Sequence, residues 1–120
     1  MRIGVPKEIK TLEFRVGLTP GIVRSLVNAG HTVSVETKAG AGVGLSDGEY
    51  QTAGAVIAPS ADAVFEGSDM IVKVKEPLAV EIARLRPDHI LFTYLHLAAD
   101  KDQTLGLMKS GCTEIGRAHV

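Results

Sequence analysis

The sequence predicts one α/β domain, in which a doubly wound, mostly parallel sheet of the Rossmann-like (flavodoxin-like) kind carries helices on both faces. Apolar, strand-like runs alternate with short helical patterns about every 20–25 residues, and the connections are too long for hairpins. The chain has 120 residues, of which 45% are hydrophobic and 22% charged. That length and composition suit a single folded domain rather than a disordered chain.

Strands are predicted where apolar or β-branched runs end at proline, glycine or polar residues. Pro6 and Pro77 end two of these runs, because proline cannot donate a hydrogen bond to a neighbouring strand. The predicted strands are Arg2–Val5 and residues 31–37, 55–58, 69–74 and 90–95.

Helices are predicted to begin at side chains that can accept a hydrogen bond from the first helical turn. These are Thr19, followed by Pro20 at the first helical position, then Ser46 or Asp47, and Ser60. Two further helices are predicted at residues 78–85 and 100–110. In the last helix Leu105 and Met108 are expected to face the core, and Gly111 is expected to end it.

Charge and cysteine content exclude several classes of protein. The net charge is −1 and the isoelectric point is about 6.4, so no surface for nucleic acid or an anionic membrane is expected. No run approaches the ~18 apolar residues of a transmembrane helix, and the first residues lack a signal-peptide pattern. Because Cys112 has no second cysteine to pair with, a cytoplasmic protein is expected.

Polar segments follow three of the predicted strands. Ligands of open parallel sheets bind in the crevice beyond the carboxyl ends of the strands. We therefore expect these segments to converge at one edge of the sheet. They are Pro6-Lys-Glu, Lys73-Val-Lys75-Glu-Pro77 and Leu95-His96-Leu97.

Three residues are candidates for substrate binding or acid–base chemistry, and each has a structural alternative. Lys75 could hydrogen-bond a keto oxygen, or Lys73 and Lys75 could both be solvated lysines on one side of a continuing strand. His96 is flanked by leucines and is either a buried structural residue or a proton-transfer group. Arg15 is either a surface arginine anchored by apolar neighbours or a guanidinium that binds a carboxylate through two parallel hydrogen bonds.

Other patterns give no site. Residues 40–44 hold three glycines but match neither the dinucleotide nor the P-loop pattern, so a plain turn is favoured. No cysteine or histidine cluster has metal-ligand spacing, so no metal site is expected.

Several short motifs occur along the chain from Met1 to about Thr113. They are Met1-Arg-Ile-Gly-Val-Pro-Lys-Glu, Glu13-Phe-Arg-Val, Leu18-Thr-Pro, Gly30-His, Ala39-Gly-Ala-Gly, Ala53-Gly-Ala, Val72-Lys-Val-Lys-Glu-Pro and Leu91-Phe-Thr-Tyr-Leu-His-Leu-Ala. Together they resemble the N-terminal, substrate-binding domain of alanine dehydrogenases. Proton-translocating nicotinamide nucleotide transhydrogenases share the first half of this pattern, but they differ at Lys-Val-Lys-Glu-Pro and Leu-His-Leu-Ala, which favour alanine dehydrogenase.

The resemblance implies an NAD-dependent enzyme that interconverts L-alanine with pyruvate and ammonium. Arg15 would bind the substrate carboxylate, and Lys75 would bind the carboxylate or keto oxygen. His96 would transfer a proton at the heteroatom of the reacting carbon. Lys75 and His96 are thus the candidate catalytic residues, and Arg15 and Lys75 the candidate substrate-binding residues.

The resemblance also implies parts that residues 1–113 do not contain. In the family, an NAD-binding domain with a glycine-rich fingerprint and the catalytic aspartate follows, so no cofactor-binding residue is expected here. The chain by itself is expected to be an inactive fragment, and the whole protein to be a homo-hexamer. The transhydrogenase domain and a stand-alone module that binds small acids remain the alternatives.

Residues 114–120 depart from the family pattern. The family continues with an apolar strand, whereas this chain reads Glu-Ile-Gly-Arg-Ala-His-Val, which resembles the translation of a sequencing adapter. A non-native tail is therefore expected. Resequencing the source locus tests this, because native coding sequence through Val120 would contradict it.

Overall fold

Six parallel strands form one sheet in the computed structural model of the chain, which describes residues 1–10, 12–75, 77–94 and 101–117. Their order across the sheet is β3-β2-β1-β4-β5-β6. This is the Rossmann order rather than the flavodoxin-like one, and it confirms the predicted doubly wound sheet. The strands are β1 (Arg2–Val5), β2 (Thr32–Glu36), β3 (Val56–Ala58), β4 (Met70–Val72), β5 (Ile90–Tyr94) and β6 (Thr113–Arg117).

Five helices connect the strands in the described residues, and none of them is long and apolar enough to cross a membrane. The three predicted caps are confirmed, because Thr19, Ser46 and Ser60 each accept a hydrogen bond from a backbone amide of the first turn. Gly30, after the first helix, has a φ of +97°, which glycine adopts without strain. The helices are α1 (Pro20–Asn28), α2 (Asp47–Thr52), α3 (Ala61–Glu66), α4 (Ala79–Ile82) and α5 (Lys101–Ser110).

Two apolar cores lie on opposite faces of the sheet. One packs α1 and α2 against β1 and β2 and includes the fully buried Val23. The other joins buried residues of α3, α5, β4 and β5 and includes Phe65 and Leu107. Successive residues of a strand point to opposite faces, which is why Ile71 belongs to the second core and Val72 to the first.

Helix α5 turns a different face to the core from the one predicted. Leu107 is 1% exposed, whereas Leu105 and Met108 are 59% and 72% exposed, so the prediction that these two face the core is wrong. Gly106 lies against Ile82 of α4. This close approach of the two helices, rather than the apolar spacing of α5 itself, orients the helix and turns Leu107 inward.

The end of β4 and the last strand also differ from the prediction. β4 ends at Val72, although the apolar run continues to residue 74. β6 pairs with β5 along its whole length, where no strand was predicted. Because strand pairing uses main-chain groups, this pairing does not test whether residues 114–120 are native.

Candidate functional site

β1 and β4 are neighbours at the centre of the sheet, and the strand order reverses between them. β2 and β3 lie on one side of this pair, and β5 and β6 lie on the other. In doubly wound sheets, ligands bind in the crevice at such a reversal, beyond the carboxyl ends of the strands. Residues 6–8 and 73–75 follow these two ends, so two of the three polar segments meet here.

Glu8 joins the two segments through its buried carboxylate. Its Oε1 accepts a hydrogen bond from Lys73 Nζ at 3.0 Å and another from the Lys75 amide at 3.1 Å. Its Oε2 accepts one from the Val74 amide at 3.1 Å. The carboxylate has therefore exchanged water for three protein donors, as a buried charge requires.

Lys73 is buried between two carboxylates. Its Nζ lies 3.0 Å from Glu8 Oε1 and 3.0 Å from Glu81 Oε2, and all three side chains are at most 3% exposed. Glu81 Oε1 also accepts a hydrogen bond from the Leu78 amide at 3.0 Å. The interpretation of Lys73 as a solvated lysine is wrong, because the chain turns after Val72, and Glu8 from the segment after β1 and Glu81 from α4 supply the counter-charges.

Lys75 is fixed through both of its peptide groups. Its amide donates to Glu8, and its carbonyl accepts a hydrogen bond from Thr93 Oγ1 at 2.9 Å. Glu8 and Thr93 are both buried, whereas Lys75 retains partial exposure to solvent. The prediction of a freely solvated lysine at a strand end therefore does not hold for the main chain of Lys75, because buried side chains bind it on both sides.

Arg15 is held by Glu13 in a two-point ion pair. Arg15 Nε lies 2.7 Å from Glu13 Oε1, and Arg15 Nη2 lies 3.2 Å from Oε2. The Glu13 side chain is 7% exposed and that of Arg15 is 61% exposed. The hydrogen bonds from Arg15, helped by the charges of Arg15 and Lys75, hold the pKa of the Glu13 carboxyl below its usual value. Glu13 therefore interacts with both Arg15 and Lys75.

Two glycines allow the segment that carries Arg15 to pack closely on its neighbours. A Cβ atom on Gly17 would lie 2.6 Å from the carbonyl oxygen of Val72, at the end of β4. A Cβ atom on Gly42 would lie 2.9 Å from the carbonyl oxygen of Phe14. The segment therefore lies between the glycine-rich turn (residues 40–44) and the switch point of the sheet, which is the place between β1 and β4 where the strand order reverses.

Residues 40–44 form a turn, as expected, and their glycines serve packing. Ala41–Val43 is one turn of 3₁₀ helix, and a Cβ atom on Gly40 would lie 2.8 Å from Leu45 and Tyr50. The helix that follows, α2, carries two acidic residues in its first turn, which would repel a phosphate there. The described residues at this turn therefore do not fit a dinucleotide cofactor.

A pocket of about 280 Å³ borders Arg15. Two residues of its lining, Leu12 and Lys38, have φ values of +63° and +65°, and such backbone strain concentrates at functional sites. Cationic side chains outnumber acidic ones in the lining, which suits a small anion such as a carboxylate. The charged lining residues are Lys7, Lys10, Arg15 and Lys38 against Glu8 and Glu13.

Comparison with known proteins identifies the family of this chain. The family described as "Alanine dehydrogenase/PNT, N-terminal domain" matches residues 4–118. The chain belongs to this family. An alanine dehydrogenase from Halomonas elongata is 50% identical over 113 residues, which cover 94% of this chain and 30% of the relative. This member of the alanine dehydrogenase/PNT family therefore spans about 30% of the length of that relative.

Solved structures of proteins similar to this family member share its fold. An L-alanine dehydrogenase superimposes with a TM-score of 0.94 at 55% identity, covering 97% of this chain and 32% of that one. A transhydrogenase from Sinorhizobium meliloti superimposes with a TM-score of 0.90 at 28% identity, covering 97% of this chain and 34% of that one. The identity to alanine dehydrogenase is twice as high, in line with the motifs that favour it.

The structure brings Arg15 and Lys75 to one edge of the sheet. His96 lies outside the described residues, so its role stays a prediction. Glu8, Glu13 and Thr93 were not among the predicted site residues, although Glu8 ends the polar segment Pro6-Lys-Glu. The position of Glu8, three residues after the end of β1 and in the same crevice, is the one signal that pointed toward it.

Proposed function

We propose that this chain is the substrate-binding domain of an NAD-dependent L-alanine dehydrogenase, which converts L-alanine reversibly to pyruvate and ammonium. The observation that carries the proposal is the placement of Arg15 and Lys75 beside the point between β1 and β4 where the strand order reverses, with the Lys75 amide bound to Glu8 and the Arg15 segment packed through Gly17 against Val72. It is supported by 50% identity to an alanine dehydrogenase from Halomonas elongata.

Arg15 is proposed to bind the substrate carboxylate. A guanidinium presents two parallel N–H groups that match the two oxygens of a carboxylate, and Arg15 already holds Glu13 in this way. Lys75 is proposed to donate a hydrogen bond to the carboxylate or keto oxygen. Such a bond to the keto oxygen withdraws electron density from the reacting carbon and stabilises negative charge that develops on the oxygen.

His96 is proposed to hold and move the proton at the nitrogen or oxygen of the reacting carbon. An imidazole has an ordinary pKa near ~6.5, which suits proton transfer around neutral pH. This role rests on the Leu-His-Leu-Ala motif, since His96 lies outside the described residues.

NAD is proposed to be bound by a separate domain of the full-length protein. Two observations support this: the glycine-rich turn here does not fit a dinucleotide, and the chain covers 30% of the Halomonas relative. Residues 1–113 are accordingly proposed to be part of the substrate-binding domain.

The whole protein is proposed to be a cytoplasmic homo-hexamer that acts on small molecules. Light scattering on the full-length protein tests the assembly, and a monomer would contradict it.

The function is tested by following NADH formation from NAD and L-alanine with the full-length protein that carries this sequence. We expect L-alanine-dependent NADH formation, and its loss in Lys75→Ala and His96→Ala. Lys109→Ala is the matched control, because it removes an exposed lysine at the end of α5, away from the switch point. Absence of alanine-dependent NADH formation in the unaltered protein would refute the proposal.

A transhydrogenase domain is the second candidate, favoured by the TM-score of 0.90 to the Sinorhizobium meliloti protein. It predicts hydride transfer between NADH and an NADP analogue without any dependence on alanine.

A stand-alone module for small acids predicts binding of pyruvate by these 120 residues alone. Calorimetry tests that directly, and we expect no measurable binding.

A further inference from the structure

We propose that Glu8 is a positioning residue for Lys75 and that it acts together with Thr93. The inference rests on the proposed function, in which Lys75 binds the substrate. It adds two residues that do not themselves touch the substrate but determine where Lys75 lies.

Glu8 fixes the peptide groups that precede Lys75. Its two carboxylate oxygens accept hydrogen bonds from the backbone amides of Val74 and Lys75, each at 3.1 Å. Two consecutive amides bound by one carboxylate hold both peptide planes in a single orientation. Since the carboxylate is buried in an ion pair with Lys73, these are charge-assisted bonds, which are stronger than those between neutral groups.

Thr93 fixes the peptide group that follows Lys75. Its hydroxyl donates to the carbonyl of Lys75 at 2.9 Å. Glu8 follows β1 and Thr93 belongs to β5, and these strands flank β4 on opposite sides. The main chain at Lys75 is therefore attached to both neighbours of the strand that leads into it.

Lys73 supplies the counter-charge that keeps Glu8 in place. Lys73 is shared with Glu81, whose carboxylate lies as close to Lys73 Nζ as that of Glu8 and is also buried. Glu81 differs from Glu8 in one respect. The backbone amide that donates a hydrogen bond to it belongs to Leu78, which lies three residues beyond Lys75. Glu81→Gln is therefore a matched control, since it perturbs the same buried lysine without removing a bond to the Lys75 peptide.

The test compares Glu8→Gln, Thr93→Val and Glu81→Gln in the full-length protein. A glutamine at position 8 keeps the shape but places an NH₂ group against at least one of the three donors. A valine at position 93 keeps the shape and removes only the bond to the Lys75 carbonyl. If Glu8→Gln fails to fold, Thr93→Val carries the test alone.

We expect Glu8→Gln to lower kcat/KM for L-alanine by about 10–100-fold, the range seen when supporting residues around a site are removed. Thr93→Val is expected to lower it by a smaller factor, and neither variant should change the KM for NAD. Glu81→Gln should lose thermal stability with kinetics close to those of the unaltered protein. Unchanged alanine kinetics in Glu8→Gln and Thr93→Val would overturn the proposal.

Hydrogen exchange read by mass spectrometry tests the same contact without using activity. Peptides that contain the Val74 and Lys75 amides should exchange faster in Glu8→Gln than in Glu81→Gln. Equal exchange in the two variants would overturn the positioning role. If the unaltered protein forms no NADH from alanine, the proposed function fails, and the exchange measurement still decides whether Glu8 fixes this segment.

Discussion

Gly17 lies against the carbonyl group of Val72, so close that a Cβ atom at position 17 would be 2.6 Å from the carbonyl oxygen. Gly17 belongs to the segment that carries Arg15, and Val72 is the last residue of β4. This contact places Arg15 beside the segment that carries Lys75. The candidate site therefore depends on a position where no side chain can be accommodated.

Gly17→Ala is expected to destabilise the protein by about 1–3 kcal/mol, because a backbone carbonyl cannot move aside without disturbing the sheet. It should also raise the KM for L-alanine, since the Arg15 segment is displaced from β4. Thermal unfolding and steady-state kinetics measure the two effects. The control is Gly21→Ala in α1, where a Cβ atom has no neighbour within 4 Å. There alanine should stabilise by roughly 0.5–1 kcal/mol, and equal effects of the two changes would contradict the contact.

Arg15→Lys is expected to raise the KM for L-alanine by about 10-fold or more, although the positive charge is kept. Lysine cannot donate two parallel hydrogen bonds to a carboxylate, and losing one charge-assisted bond costs about 1.5–3 kcal/mol. Steady-state kinetics on the full-length protein measures this. Arg24→Lys is the matched control, because Arg24 is an exposed residue of α1 that donates to the Thr52 carbonyl. A KM unchanged by Arg15→Lys would argue against a two-point carboxylate contact.

Acid is expected to weaken the fold through the pair formed by Arg2 and Asp69. The hydrogen bonds from Arg2, at 2.9 Å to each carboxylate oxygen, lower the pKa of Asp69 to about 2 from the ordinary 3.8. A lowered pKa in the folded state means that the unfolded chain binds the proton more readily. The stabilisation is therefore complete above pH ~4 and is lost as the pH falls toward about 2.

Asp69→Asn removes this pH dependence and is the variant that tests it. Its melting temperature should fall less steeply than that of the unaltered protein between pH 4 and pH 2, as followed by circular dichroism. At neutral pH the variant should be the less stable of the two. Parallel pH profiles for the two proteins would show that the pair contributes nothing in solution.

Leu107→Ala is expected to cost about 2–5 kcal/mol, because its side chain is buried in the second core and its loss leaves a cavity. Leu105→Ala, two positions earlier on the same helix, should change stability by no more than about 0.5 kcal/mol, since Leu105 is largely exposed. Urea unfolding of both variants measures the difference. The reverse ranking would show that α5 presents the face that its apolar spacing first indicated.

Local features of the fold could be predicted from the sequence because their causes lie within a few residues. The helix starts at Thr19, Ser46 and Ser60 depend on one side chain and the amides of the next turn. Five strands were predicted to within a few residues of their observed ends, since an apolar run that is closed by proline, glycine or polar residues contains its own stop signal. The parallel sheet followed from the alternation of these elements.

The sequence by itself determined the α/β fold, its helix caps and the polar segments that follow β1 and β4. The tertiary structure decided which residues of those segments meet. Glu8 and Lys73 are 65 residues apart in the chain, and no periodicity links them. The rotation of α5 likewise depends on the contact between Gly106 and Ile82. Lys73 and Lys75 look equivalent in the sequence, yet the turn after Val72 buries one between two carboxylates and leaves the other at the edge of the site.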